Sequence, residues 1–188
     1  MIPGDSEWLQ SKQDINSFDY SGRSIKLRDV PIEVNKKSKI VRVSIDEVIK
    51  AEQKYIADEN DIEPFEILEL LLLYKELHFH KGGYIKKTYR FNKMLFYLWK
   101  EIEKAGFGDS YIFDTFVAAR AGPVPLKLKD SMRRLQEKSL VKAKIEKTAG
   151  RSSEYWLTDK GKKVAESLWE KTPDFIKQMI VDVKQDLM

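Results

Sequence analysis

Hydrophobic residues recur at two different periods along the chain. Between residues 25 and 43 they alternate with polar residues in two runs, Ile25–Val34 and Lys39–Val43, which the turn sequence Asn-Lys-Lys-Ser separates. Alternation of this kind predicts a β-hairpin, and Pro31 restricts the first run to an edge strand or a strand end. The first ~20 residues carry no such pattern, and we expect them to form a loosely ordered arm.

Helical periodicity follows the hairpin. Ser44 precedes Glu47 by three residues, which is the pattern of a capping box at a helix start. Pro64 suits the first position of a second helix, where its missing N–H has no cost. The acids Glu63, Glu66 and Glu69 are expected on the exposed face of that second helix. The predicted helices are Ser44 to about Ala57, Pro64 to just before Gly82-Gly83, and about Phe91 to Lys104.

The second half of the chain mixes short strands with helices. Gly122-Pro123-Val124-Pro125 predicts a sharp turn that leads into a helix. Period-two alternation before and after a Gly-Ser-rich tip predicts a β-hairpin. Thr158 then caps a helix. The predicted elements are a short strand at Tyr111–Phe113, helix Leu126–Lys138, a hairpin from Val141 to Leu157 with its tip at Ala149–Ser153, helix Asp159 to about Lys171, and a last helix from Pro173 to the end.

This order of elements predicts the fold class. Helix, helix, basic helix and β-hairpin in succession are typical of a winged helix-turn-helix. The fold is therefore expected to be mainly α with small β-hairpins (α+β). We expect three parts: an N-terminal arm, β-hairpin and acidic helix at residues 1–60, a winged-helix domain at 61–172, and a C-terminal helix at 173–188.

Composition narrows the class of protein. Of 188 residues, 42% are hydrophobic and 34% are charged, which suits a globular chain with a charged surface. The absence of Cys excludes disulfides, thiolate zinc sites and cysteine nucleophiles. No secretory signal is recognisable in the first residues, and the longest apolar run, Leu70–Leu73, is far too short for a membrane span. We therefore expect a cytoplasmic protein that does not associate with membranes.

Charge is segregated along the chain. Residues 44–77 hold ten acids and three lysines, whereas residues 120–151 hold ten Lys/Arg and three acids. A further basic stretch, residues 81–104, has seven Lys/Arg and two Glu. Segregation of this kind favours a basic surface for a polyanion. The alternative is that acidic and basic helices simply pack beside each other.

The basic helix and the hairpin are the predicted DNA-binding elements. One α-helix fits a DNA major groove, and a hairpin beside it reaches the neighbouring backbone. Arg133 and Arg134 are the candidates for base edges, because arginine can pair bidentately with guanine. The candidates for phosphate contacts, which add affinity without sequence information, are Lys127, Lys129, Lys138, Lys142, Lys144 and Arg151.

Two motifs carry a resemblance to a known group. The first motif is Gly122-Pro123-Val124-Pro125 together with its spacing to Leu128, Leu135 and Ser139-Leu140-Val141. Tyr155-Trp156-Leu157-Thr158-Asp159-Lys160-Gly161 is the other, a "Y-x-L-T-x-x-G" closure. Together they resemble the Panacea-type and phage-associated winged-helix proteins over about Phe91 to Leu168. The resemblance implies DNA binding, antitoxin activity or work as a protein adaptor. Residues 1–60 do not fit the group.

Catalytic chemistry is not indicated. His78 and His80 are the only histidines, so a zinc site would need carboxylates from elsewhere. Two surface histidines at a helix end are the simpler interpretation. No nucleophile elbow, P-loop or dinucleotide-binding fingerprint is present. We therefore expect a protein that is not an enzyme and that has no cofactor.

Two functions remain in view. The first is a DNA-binding transcriptional regulator of double-stranded DNA, which forms a homodimer through the apolar stripe of the last helix. The alternative for that helix is packing against its own domain. The second function is a protein-interaction module, an antitoxin or adaptor, which the acidic residues 44–77 favour. Salt dependence separates the two, because binding to phosphates weakens steeply as salt rises.

Overall fold

The computed structural model describes residues 8–18, 24–80, 82–108, 115–120, 122–146 and 151–183. Within these ranges the chain is a mixed α+β protein whose helices pack against small antiparallel sheets. The α+β prediction is therefore confirmed. The division into three parts stays a prediction. Side chains from all three, Ala57, Leu71 and Ile180 among them, share one hydrophobic core.

An antiparallel sheet forms the N-terminal part, with β1 (Trp8–Phe18) paired to β2 (Ser24–Asn35) and β2 paired to β3 (Val41–Arg42). The predicted hairpin is confirmed as β2 and β3. Its turn is held by Asn35, whose Oδ1 accepts from the backbone N–H groups of Lys37 and Ser38 at 3.0 and 2.9 Å. The expectation of a loose arm is wrong from Trp8 onward. Pairing with β2 makes a strand of a segment whose own residues do not favour one.

The first helix, α1 (Ile45–Glu59), begins where the sequence predicts. Ser44 Oγ accepts from the backbone N–H of Asp46 at 3.2 Å, so Ser44 caps the helix through the second helical residue and not through Glu47, the third, as a capping box would. Glu47 Oε1 lies 3.3 Å from Lys50 Nζ, one turn further along the helix. Val48, Ala51 and Tyr55 of α1 pack on a small apolar cluster of the sheet.

A β-bulge keeps the sheet's apolar side chains on the face that α1 covers. Two residues of β2, Arg28 and Asp29, lie opposite the single residue Asp14 of β1, and Asp29 has a φ of 53°. Because one extra residue reverses the alternation of faces, Ile25 and Leu27 before the bulge point the same way as Val30 after it. All three are buried.

Helix α2 (Pro64–Phe79) is the central helix, and its residues from Phe65 to Glu76 are buried on all sides. Pro64 occupies its first turn, as predicted. The expected exposed acidic face is wrong for Glu66 and Glu69, which are buried, while Glu63 is exposed. Four consecutive leucines at 3.6 residues per turn point in every direction around the axis, so no face of this helix is left to water.

Strand β4 (Ile85–Lys86) and helix α3 (Thr88–Lys104) follow. The helix starts three residues before the predicted Phe91. Its apolar face packs into the core through Met94, Leu98 and Ile102, all of which are fully buried.

The segment before the basic helix differs from the prediction. Residues Gly122–Pro125 form strand β6, which pairs antiparallel with β5 (Phe116–Ala119), where a turn was expected. Prolines are tolerated there because each strand of a two-stranded sheet is an edge strand. The basic helix, α4 (Leu128–Glu137), therefore begins two residues later than predicted. The short strand predicted at Tyr111–Phe113 lies outside the described residues.

The predicted β-hairpin is confirmed as β7 (Val141–Glu146) and β8 (Arg151–Leu157). Strand β8 also pairs with β4, so the strand order of this sheet is β4-β8-β7. Ser139, with a φ of 58°, makes the tight turn from α4 into β7. Ala149 and Gly150 of the predicted tip lie outside the described residues, whereas residues 151–153, the rest of that tip, belong to β8.

Helix α5 (Asp159–Lys171) has the predicted cap. Thr158 Oγ accepts from the N–H of Gly161 at 2.9 Å and donates to the carbonyl of Ser139 at 2.6 Å. A Cβ on Gly161 would lie 1.9 Å from the carbonyl oxygen of Leu140. The glycine of the "L-T-x-x-G" motif is thus required by the close approach of α5 to the start of β7.

The last helix, α6 (Asp174–Asp182), packs on its own chain. Ile176, Ile180 and Val183 are buried in the common core, and Lys75 Nζ donates to the carbonyl of Val183. The apolar stripe behind the expected homodimer is therefore covered intramolecularly, and the homodimer stays a prediction. None of the helices in the described ranges has the length and apolar content that a membrane crossing requires.

Candidate nucleic-acid interface

Helix α4 buries one face and exposes the other, as predicted. Leu128, Met132 and Leu135 are buried against the core, and Ser131 Oγ donates to Glu69 Oε1 of α2 at 2.7 Å. These contacts fix the rotation of α4 about its axis. Lys129 and Arg133 consequently lie on the solvent side.

Arg133 has the geometry expected of a residue that reaches a ligand. Its side chain is 69% exposed, and its closest acidic atoms, Asp130 Oδ1 and Glu137 Oε1, are both 3.8 Å away. Exposed pairs at that distance contribute little and exchange readily with other partners. The guanidinium can therefore leave both acids for a phosphate or a base edge.

Arg134 does not share this freedom, because its guanidinium is already engaged within the chain. Its Nε lies 2.9 Å from Oε1 of the buried Glu66, and its guanidinium stacks 5.4 Å from the ring centroid of Phe65. Its side chain is 34% exposed. Because moving Arg134 would leave a buried carboxylate without its cation, this arginine joins α4 to α2.

Lys138 is likewise engaged by an acid. Its Nζ donates to the carbonyl of Asp61 and lies 3.3 Å from the same residue's Oδ2. The expected phosphate contact would have to replace a pairing between α4 and the end of α1. For Arg134 and Lys138, the alternative that acidic and basic segments pack beside each other describes the structure better than a free basic face.

Lys127 lies on the surface beside Phe65. It is the residue before α4, it is exposed, and its Nζ lies 5.1 Å from the centroid of the Phe65 ring. Phe65 thus supports both Lys127 and Arg134, and it places the lysine beside the first turn of the helix.

The hairpin presents its lysines on the outer face of the sheet. Lys142 pairs with Trp156 and Lys144 with Glu154, while the alternate residues of both strands face the core. Lys144 Nζ is 3.8 Å from Glu154 Oε2. Strand β4 extends the same row, because Lys86 lies opposite Glu154 on its other side.

An ion pair, Asp159 with Lys162, lies at the base of the hairpin. Lys162 donates to Asp159 Oδ1 at 3.0 Å, and this hydrogen bond holds the pKa of Asp159 below its usual range, with an added effect of Lys142. Arg151 begins β8 at the far end of the hairpin, and its side chain lies outside the described part of the structure.

Of the eight predicted contact residues, the two that are exposed and have no described carboxylate at ion-pair distance are Lys129 and Lys142. They lie on α4 and on the adjoining strand β7, respectively. Lys127, Arg133 and Lys144 are also exposed. Five of the predicted cations are thus exposed on α4, on the residue before it and on β7, whereas Arg134 and Lys138 make intramolecular contacts.

Sequence reasoning missed the outer face of the sheet around Trp156. An open cleft there is lined by Gly82, Gly83, Tyr84, Trp156 and Lys162, among others. A Cβ on Gly82 would come within 2.7 Å of the Tyr84 ring, so glycine at this position lets the ring lie over the backbone. The signal in the sequence for Tyr84 is the mixture of aromatic and basic residues within residues 81–104.

The histidines do not form a metal centre with other described residues. His78 packs its ring against Tyr74 with centroids 4.2 Å apart, and His80 Nε2 is 3.9 Å from Glu76 Oε1. Within the part of the chain that the structure describes, no group of three or more His, Asp or Glu side chains is arranged to hold a metal ion.

Comparison of the chain with family models, curated proteins and solved structures finds no match. The resemblance to the phage-associated winged-helix group thus continues to depend on the two sequence motifs.

Proposed function

We propose that the chain binds double-stranded DNA through α4 and the β7–β8 hairpin, as a winged-helix transcriptional regulator. The observation that carries this proposal is the position of the exposed cations. Lys129 and Arg133 project from the solvent face of α4, and Lys142 and Lys144 project from the outer face of the strand that starts four residues after the helix ends.

The order of elements supports the same proposal. Helix α2, strand β4, helix α3, helix α4 and the pair β7–β8 follow one another, and β4 joins β8 as the third strand of the hairpin's sheet. A winged helix-turn-helix uses this succession to hold its recognition helix beside a hairpin. The additional β5–β6 hairpin lies between α3 and α4.

The side chains divide into two roles. Arg133 is the candidate for base recognition, because it alone combines a guanidinium, high exposure and a central position on α4. Lys127, Lys129, Lys142 and Lys144 are candidates for phosphate contacts, which supply affinity by releasing counterions. Arg134 has a supporting role, since it holds α4 against α2.

The observation behind the protein-interaction alternative, the acidic charge of residues 44–77, is partly compensated within the chain. Several acids of residues 44–77 are bound within the chain, as in the pairs of Glu66 with Arg134, Asp61 with Lys138 and Glu59 with Lys171. The acidic segment therefore presents less free charge to a partner than the sequence suggests.

The test is a fluorescence-anisotropy titration of a mixed-sequence duplex at two salt concentrations. Non-specific affinity in the range of about 10⁻⁴–10⁻⁶ M is expected at physiological salt. The double variant Lys142→Ala/Lys144→Ala should weaken binding to every duplex and flatten the log–log salt slope by about two, one for each lost phosphate contact. Lys12→Ala/Lys36→Ala is the matched control, because it removes one exposed lysine from β1 and one from the turn after β2.

Arg133→Ala should behave differently. In a selection for preferred sequences, this variant should lose discrimination at one or two base pairs, by about 1–3 kcal/mol of binding free energy each. Its affinity for random duplexes should change less. Equal effects of the control and the hairpin variant would reject the α4–hairpin surface. Absence of duplex binding in the wild type would reject DNA binding altogether.

A further inference from the structure

The first half of α3 and the turn before it carry a second basic surface. Residues 81–100 contain six Lys/Arg and no Asp or Glu. Several aromatic and basic residues of this segment are exposed or half-buried, and we call them the α3 stripe. They are Lys86, Lys87, Tyr89, Arg90, Lys93, Tyr97 and Lys100. Lys86, on β4, borders the hairpin's sheet opposite Glu154, and the other six residues lie outside the α4–hairpin surface.

Three members of the α3 stripe follow one face of the helix. Tyr89, Lys93 and Tyr97 are four residues apart, so their side chains lie one above another. The tyrosines are 39% and 36% exposed, respectively. With a rise of 1.5 Å per residue, the stripe from Tyr89 to Lys100 extends for roughly 16 Å along the helix.

The cations of the stripe contact aromatic rings. Lys87 and Lys93 lie 5.8 and 5.9 Å from the Tyr89 centroid, and Lys86 lies 5.5 Å from that of Tyr84. Lys100 is 5.6 Å from the ring centroid of Phe96. Within the described ranges no carboxylate is at ion-pair distance from any of these four lysines. In contrast, the charges of Arg134 and Lys138 are compensated by acids.

The local potential is positive enough to act on Tyr89. Arg90 Nε donates to the Tyr89 hydroxyl at 3.4 Å, and this contact lowers the pKa of Tyr89, with added effects of Lys87 and Lys93. The opposite face of α3, with Met94, Leu98 and Ile102, forms the core. The exposed tyrosines therefore are not the residues that anchor the helix.

We propose that the α3 stripe binds single-stranded nucleic acid, with Tyr89 and Tyr97 stacking on bases and the lysines and Arg90 contacting phosphates. Cations alone would fit any polyanion. Exposed rings between them favour a single strand, because only unstacked bases offer their faces to a side chain. The residues that carry this inference, Tyr89, Lys93 and Tyr97, lie on α3, outside the α4–hairpin surface. The inference therefore holds whether or not that surface binds duplex DNA.

The test compares two labelled oligonucleotides of twelve units by fluorescence anisotropy with the full chain. One is oligo(dT), and the other has the same backbone with abasic sites. Oligo(dT) should bind the wild type at least about tenfold more tightly, since stacking contributes substantially at each base. Tyr89→Ala/Tyr97→Ala should lower oligo(dT) affinity by about tenfold or more and leave the abasic strand unchanged. Tyr89→Phe/Tyr97→Phe should retain tight binding.

Further arms separate this surface from the other. Lys87→Ala/Lys93→Ala should weaken both oligonucleotides, whereas Lys12→Ala/Lys36→Ala should weaken neither. Lys142→Ala/Lys144→Ala should reduce duplex binding and leave oligo(dT) affinity unaltered. Should the alanine variants fail to fold, ultraviolet cross-linking of 5-bromouracil oligonucleotides to the wild type should label the peptide that holds Tyr89 and Tyr97.

Three outcomes would overturn the inference. Equal affinity of oligo(dT) and the abasic strand would reduce the stripe to a phosphate contact. Wild-type affinity in the Tyr89→Ala/Tyr97→Ala variant, together with cross-links elsewhere, would place the single strand on another surface. No binding of either oligonucleotide would leave an acidic protein as the better partner for these cations.

Discussion

Arg134 of α4 and Glu66 of α2 form an ion pair that crosses from the surface into the core, with 2.9 Å between Arg134 Nε and Glu66 Oε1. The carboxylate is fully buried, and its other oxygen accepts from the backbone N–H of Glu63 at 2.9 Å. One acid therefore both caps α2 and holds α4. This relationship sets the angle at which α4 presents Lys129 and Arg133.

Arg134→Ala should lower the free energy of unfolding by about 1–3 kcal/mol, because a buried acceptor loses its charged donor. The measurement is urea unfolding followed by circular dichroism. Arg133→Ala, one position away and exposed, should change stability by no more than about 0.5 kcal/mol. Equal losses in the two variants would show that the pair does not hold α4.

The local patterns of the sequence predicted the elements around the candidate interface. The cap at Thr158, the alternation of β7 and β8 and the apolar spacing of α4 each depend on neighbours within a few residues. For this reason the exposure of Lys129, Arg133, Lys142 and Lys144 could be predicted from the chain alone.

The errors arise where distant segments meet. Strand β1 forms because β2 pairs with it, and its own residues give no period. Glu66 and Glu69 are tolerated in the core because α4 supplies Arg134 and Ser131 to them. No spacing within α2 specifies those partners. The sequence shows that the α3 stripe is basic. That Tyr89 and Tyr97 lie on the same face as its lysines follows only from the helix register.

Lys75→Met should destabilise the fold and loosen α6. Lys75 is fully buried, lies 2.7 Å from Glu76 Oε1 and donates to the carbonyl of Val183. Loss of one partner of a buried pair costs about 3–5 kcal/mol. Urea unfolding should show this loss, and trypsin should cleave within α6 sooner than in the wild type.

Lys75→Met/Glu76→Gln is the matched control, since it removes the buried charge along with its partner. It should recover a part of the lost stability. If the double variant were as unstable as Lys75→Met, the ion pair would not be the cause, and the contact with Val183 would account for the whole effect.

Gly161→Ala should destabilise the chain, against the usual direction for a helical glycine. Replacing such a glycine by alanine ordinarily stabilises by about 0.5–1 kcal/mol. Here the new Cβ would lie 1.9 Å from the carbonyl oxygen of Leu140, so α5 must move away from β7. A loss of about 1–3 kcal/mol, the usual cost of overpacking, is expected in thermal or urea unfolding.

Glu166→Ala provides the control on the exposed face of the same helix and should be nearly neutral. A stabilised Gly161→Ala variant would show that α5 and β7 are not in close contact, and the assigned role of the "L-T-x-x-G" motif would then be wrong.

Acidification should remove the contribution of Asp14 at the β-bulge. Its carboxylate lies 2.9 Å from Lys26 Nζ and accepts from the backbone N–H of Asp29 at 3.2 Å. The hydrogen bond from Lys26, then that from Asp29, lower the pKa of Asp14 in the folded chain below its ordinary 3.8. A depressed folded pKa contributes stability that is fully present above the unfolded pKa and is lost as pH falls through the folded one.

The difference in unfolding free energy between the wild type and Asp14→Asn should therefore be constant from neutral pH to about pH 5 and shrink below it. Lys26→Ala should move the Asp14 titration, followed by carboxyl NMR, back toward its ordinary value. A difference that grows as the pH falls would mean that the bulge is held by contacts that do not depend on this charge.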